Sequence, residues 1–132
     1  MDISIEEQLA EYMARGERII AAARDSAGGG AWNASQILGH LIDAVRVNIG
    51  RMHSSAAGVE PAGSWEQEIV VGAFGYASIP VGALAVELRR CRETFVSTAH
   101  ELLATGLTPA YLQDRLDAAR EHEGEHLDQL VG

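Results

Sequence analysis

The sequence predicts an all-α fold: a four-helix bundle with a long crossover between helices 2 and 3, forming a single domain over residues 1–132. Three observations predict it. Apolar residues recur at three- and four-residue spacing in four stretches, each marking one face of a helix. Capping residues stand where those stretches begin. One connection, residues 55–79, is far longer than the others and long enough to cross a bundle.

The first helix is expected over about residues 4–24, with Ile5, Leu9, Tyr12, Gly16, Ile19 and Ala23 along its apolar face. Ser4 and Glu7 have the spacing of a capping box, and Gly28-Gly29-Gly30 ends the segment. In the second helix Asn33 is the cap and Gln36 reaches back from the third position. Trp32 and Ile37 sit where a hydrophobic staple belongs. Leu38, Leu41, Ile42, Val45, Ile49 and Met52 carry its stripe to about residue 54.

Residues 55–79 are rich in Gly, Ala and Ser, with Trp65, Phe74 and Tyr76 available to pack the connection down. A crossover lets helices two and three run parallel, and a short strand pair within 65–76 is an alternative for part of it. Pro80 suits the first position of helix three. Val81, Leu84, Leu88, Cys91, Phe95, Ala99 and Leu102 form that helix's stripe, and Gly106 stops it. Thr108 and Pro109 start the fourth helix, lined by Leu112, Leu116, Ala119, Leu127 and Leu130.

Composition narrows the function. A net charge of −9 argues against nucleic acid, whose phosphates need a basic surface. All ten basic residues are Arg, so no lysine can form a Schiff base. The single cysteine, Cys91, cannot form an internal disulfide, which fits a reducing cytoplasm. The acidic first residues lack the order of a signal peptide. Eighteen residues without a charge, Ile69 to Val86, approach the length of a membrane span. Gly72, Gly75, Gly82, Ser78 and Pro80 interrupt them, so a buried crossover running into a helix is the better reading. A soluble cytoplasmic protein with no membrane partner is expected.

The chemistry concentrates in His122-Glu123-Gly124-Glu125-His126. Imidazoles four residues apart on a helix share a face and can reach one ion. The stretch also fits H-E-x-x-H, in which the Glu serves as a protease's general base. That reading needs a third ligand downstream, and Leu127-Asp128-Gln129-Leu130-Val131-Gly132 offers no His or Glu. A third ligand must come from upstream: His40, His53 or His100.

At 100° per residue Glu123 falls in the arc of Leu112, Leu116 and Leu130, with His126 beside it and His122 and Gln129 at its edge. Burying these groups costs several kcal/mol unless they are paired or coordinated, and a metal ion would offset that cost. A solvated acidic helix end, with Glu121, Glu123, Glu125 and Asp128, is the alternative. His53 and His100 read as surface residues by their helix positions. His40 follows Gly39, which allows close approach of a neighbour. It lies off the main stripe, near Ile37, Ala44 and Val47, and reads as a surface residue unless that second face looks toward helix four.

Trp32-Asn33-Ala34-Ser35-Gln36-Ile37-Leu38-Gly39-His40-Leu41 resembles the start of helix two in the DinB-like superfamily of bacterial four-helix bundles. This family is related to the metal-binding domain of mycothiol-dependent maleylpyruvate isomerase. His122, His126 and Gln129 match its H-x-x-x-H followed by Gln, and the resemblance covers essentially the whole chain. It implies a divalent metal, zinc or nickel, held by His40, His122 and His126 with an open coordination position. It also implies a small-molecule substrate and a low-molecular-weight thiol cosubstrate such as mycothiol or bacillithiol. A homodimer is compatible with such bundles.

The leading expectation is a metal-dependent enzyme: a thiol-dependent transferase or isomerase, or a hydrolase with Glu123 as the catalytic base. The other is a non-catalytic metal- or ligand-binding bundle of the stress response.

Overall fold

The computed structural model describes residues 3–26, 32–60 and 66–132, with the backbone alone for 66–68. These residues are all-helical, without strands. Five α-helices follow in order: α1 (Ile5–Asp25), α2 (Ala34–Ala56), α3 (Glu66–Ala73), α4 (Val81–Leu103) and α5 (Pro109–Val131). A 3-10 turn, Phe74–Tyr76, joins the end of α3. No helix of the described residues is long and apolar enough to cross a membrane.

The caps explain where the helices begin. Asn33 accepts from the Gln36 backbone while the Gln36 side chain accepts from the Asn33 backbone, a complete capping box. Thr108 caps α5 by accepting from the Tyr111 backbone, with Pro109 in the first turn. At α1 only half of the box forms. Ser4 accepts from the Glu7 backbone, and the Glu7 carboxylate takes the Ser4 hydroxyl proton instead of the Ser4 backbone N–H. Pro80, expected as a first helical residue, is the cap itself, with ψ 137° in the extended range.

The connection between α2 and α4 departs from expectation in kind. Where a strand pair was an alternative, Glu66–Ala73 coil into α3. Ile69 and Ala73, four residues apart, are buried, and α3 packs on α2. A helix satisfies its own backbone, so the segment needs no partner strand. Trp65 and the Gly28–Gly30 run lie outside the described residues.

Between the long helices the core is continuous. Leu9, Ile19, Leu38, Leu41, Leu88, Phe95 and Leu112 are nearly inaccessible to water. The Tyr12 and Phe95 rings meet at 4.6 Å. Burial of such side chains contributes ~1.5–3 kcal/mol each. The most extensive packing is α2 on α4, followed by α1 against α5 and α4. Cross-helix pairs fix the alignment. Arg46 reaches Glu87 at 2.8 Å, and Ser35 donates to the Ile79 carbonyl at 2.6 Å. At the far end Gly106, with φ +152°, lies so close to Ala56 that a Cβ would meet its carbonyl at 2.5 Å.

Candidate metal centre

His122 and His126 lie one turn apart on α5, and His40 stands two turns into α2. Because successive residues turn by ~100°, His122 and His126 share the side of α5 that meets α2, while Glu123 points toward α1 and α4. His40 Nε2 is 2.9 Å from His122 Nε2, and His126 Nε2 is 3.2 Å from the same atom. The ligand atoms of the three residues all lie within 4.8 Å of one another, and the cluster could hold a metal ion. The ring centroids are 4.7–4.9 Å apart, with near-perpendicular planes. His40 and His126 are buried, at 4% and 8% exposure, so the surface reading of His40 fails: its second face does look toward α5.

The arrangement fits an ion for a reason internal to it. An imidazole nitrogen has one in-plane site, either a lone pair or a proton. His122 Nε2 faces two other Nε2 atoms and can satisfy only one by a hydrogen bond. An ion accepts lone pairs from all three. Ligands at 2.0–2.1 Å in tetrahedral geometry stand ~3.3 Å from one another, close to the 2.9 and 3.2 Å from His122 Nε2 to the other two.

The surrounding groups prepare the rings. Gln129 Oε1 lies 2.8 Å from His126 Nδ1, so it accepts the Nδ1 proton and leaves Nε2 as a lone pair. Burial first, then the neighbouring His122 and His126, push the His40 pKa from 6.5 down to about 4. His122 is lowered too, chiefly by burial and then by His126. Both rings are therefore neutral ligands at neutral pH. His40 Nδ1 is buried without a hydrogen bond of normal geometry, although the Ile69 backbone is near enough to favour its protonated form.

Trp32 covers the cluster. Its ring lies 6.1 Å from His126, nearly parallel at 10°, and 5.0 Å from His40. Sequence reading placed Trp32 as a staple for Ile37 and as the first residue of the stretch that carries the resemblance, without a place over the histidines. Gly39 has the role expected of it. A Cβ there would overlap the Tyr76 ring, whose hydroxyl donates to Asp43 Oδ1 at 2.8 Å. The 3-10 turn is thus held against α2 beside His40.

Glu123 is 3% exposed and belongs to a different cluster. Its carboxylate accepts from Arg15 Nε at 2.7 Å and from Arg92 Nη1 at 2.6 Å. Arg92 also donates to the Tyr12 carbonyl, and its guanidinium lies 3.6 Å from the Tyr12 ring centroid. The structure thus places the expected candidate base among arginines and not among the histidines. His53 and His100 are exposed, and His100 pairs with Glu6 at 2.9 Å. Cys91 is buried and its thiol pushed up to about 11 by burial, so it is held as an inert thiol.

Two cavities among the described residues bear on the site. A depression of about 550 Å³, with Ile3, Gln8, Pro109 and Gln113 in its wall, includes none of the histidines. A smaller cavity of about 50 Å³ opens between α2 and α5 and has His122 in its wall. Asn48 and Arg115 also line it. Neither stood out in sequence, although Asn48 follows His40 by eight residues and Arg115 precedes His122 by seven, both same-face intervals on a helix.

Comparison with protein-family models, curated proteins and solved structures found no match for this chain.

Proposed function

We propose that this chain is a divalent-metal-binding protein of the DinB-like type, with His40, His122 and His126 as ligands, that acts on a small molecule as a metal-dependent enzyme. The convergence of three Nε2 atoms from two helices is the observation that carries the reading. It joins residues 82 positions apart in the chain. The four long helices form a four-helix bundle, and α3 lies within the crossover from α2 to α4. The order of cross-helix pairs supports this: Ser35 with Ile79, Arg46 with Glu87 and Ala56 with Gly106 advance together, as parallel α2 and α4 require.

His40, His122 and His126 would hold a divalent ion, zinc or nickel, which would supply Lewis acidity toward a substrate oxygen or a thiol cosubstrate. The protein's own groups do the rest. Gln129 fixes the His126 tautomer, Trp32 excludes water from one side, and His122, the half-buried member of the three, borders the small cavity between α2 and α5. Of the two enzymatic versions, the thiol-dependent one fits better. A hydrolase would need Glu123 as base, and both of its oxygens are engaged by arginines. The same observation favours, as the second reading, a non-catalytic metal-binding bundle.

Elemental analysis of protein purified without a histidine tag tests the site, and turnover across a panel of low-molecular-weight thiols and electrophiles tests the enzyme. The reading expects one ion per chain and metal-dependent thiol consumption. An ion without turnover supports the non-catalytic bundle; no ion overturns both.

A further inference from the structure

The cavity of about 50 Å³ between α2 and α5 combines features that point to a ligand. Asn48, 8% exposed, lines it, and its Oδ1 is buried without a hydrogen-bond partner. The Arg115 Nε is likewise buried and unpartnered. Six of the ten arginines take part in ion pairs with carboxylates among the described residues, and Arg115 does not. In a chain with nine excess negative charges, a half-buried guanidinium left without a carboxylate is the exception that asks for a reason. Its position supplies one, because the same cavity is bounded by His122 of the histidine cluster.

We infer that this cavity is a carboxylate-binding subsite, with Arg115 and Asn48 as its polar groups and a small carboxylate-bearing substrate as its occupant. The inference rests on the metal reading for its reactive end and adds the chemical class of the substrate. Arg115 donates N–H bonds to the carboxylate, and charge-assisted bonds of this kind are about twice as strong as neutral ones. Asn48 donates from its amide nitrogen, and its oxygen accepts from a donor elsewhere on the substrate. Volume agrees: at ~10–15 Å³ of such space per water, the cavity holds a few heavy atoms, the size of one carboxylate group. The remaining walls are Ala44, Val45, Ala118 and Ala119 along the α2–α5 seam, with Tyr12 from α1, and they leave room for a small group only.

Electrostatics agrees as well. Glu123 borders the cavity, but Arg15 and Arg92 bind it. Both Glu123 oxygens are taken by Arg15 and Arg92, and Glu11 is shared between Arg15 and Arg18, so neither carboxylate neutralises Arg115. The competing occupant is water, which an orphan donor and an orphan acceptor could share.

Acetate is the probe, with acetamide as its neutral counterpart. Both are titrated into the tag-free, ¹⁵N-labelled full chain, with and without zinc, while the Arg115 Nε–H and Asn48 side-chain amide resonances are followed. The expected result is a saturable shift of both with acetate and binding about tenfold weaker with acetamide. In Arg115→Gln acetate binding falls about tenfold or more while zinc stoichiometry is unchanged. Resonances unmoved by acetate overturn the proposal in favour of water, and they do so in the wild-type chain whether or not the variant folds. Acetate binding that requires zinc and is equal in Arg115→Gln also overturns it, since the anion then sits on the ion. Loss of zinc binding with the Arg115 shift retained would sink the metal reading and leave the anion subsite standing.

Discussion

His122 and Glu123 are neighbours in the chain, yet they enter two buried polar clusters that meet the cost of burial in opposite ways. On the α1–α4 side, Glu123 is held by Arg15 and Arg92, and Arg92 lies over Tyr12. Every charge there has an opposite charge supplied by the chain. On the α2 side three imidazoles converge, with no carboxylate among their close ligand atoms and one nitrogen shared between two others. The first cluster balances its charges, although Arg92 Nε stays buried without a hydrogen bond. The second has nitrogens left over that could hold a metal ion. A buried polar group is therefore read by what its partners leave over, and not by burial alone.

The largest effect that could break this contrast is on folding. Glu123→Ala leaves two guanidinium groups without their shared counterion and should cost about 3–5 kcal/mol in urea unfolding. His40→Ala should leave the apo protein near wild-type stability, because it removes a ring from a cluster that lacks its ion. Equal losses in the two variants would erase the distinction between the clusters.

Glycines sharpen it next. A Cβ at Gly16 would meet Arg92 Nε at 2.5 Å, and one at Gly39 would overlap the Tyr76 ring. Each Ala substitution should cost about 1–3 kcal/mol. Only Gly39→Ala, next to His40, should also weaken metal binding. A metal affinity that falls with Gly16→Ala instead would mean the clusters are coupled through α5.

Gln129→Ala should reduce metal affinity by about 10–100-fold through loss of the His126 tautomer, with little change in apo stability. Calorimetric titration of zinc measures the first and urea unfolding the second.

A further effect is on acid stability. The folded His40 pKa, about 4, lies below its ordinary 6.5, so the unfolded chain binds more protons between these values. Apo-protein stability should therefore fall as pH drops from 6.5 through about 4, and His40→Gln should flatten that limb. An unchanged slope in the variant would mean that His40 does not titrate as a buried ring.

Much of this arrangement was legible in the sequence because it is local. The Asn33–Gln36 box, the Thr108 cap and the apolar stripes depend on spacings of three and four residues, and these appear where expected. His122 and His126 were readable for the same reason. His40 was narrowed by its place beside Gly39 and assigned by resemblance, since its burial depends on which face α2 turns to α5. Glu123 shows the limit more sharply. Its helical arc correctly placed it inside, but its partners Arg15 and Arg92 lie 108 and 31 residues away, and no periodicity pairs them. The residues after Ala56 were read as a connection because their apolar side chains are small. The helical pair Ile69 and Ala73 gains its burial from α2, a tertiary contribution that a single-segment pattern does not carry.

The most direct test of the three-histidine centre is a zinc titration of tag-free wild-type protein beside His40→Ala, with bound metal counted by elemental analysis after dialysis. The account predicts one ion per wild-type chain and its loss in the variant, with helix content retained. Equal stoichiometry in the two proteins would contradict it, because the ion would then be held without the ligand from α2.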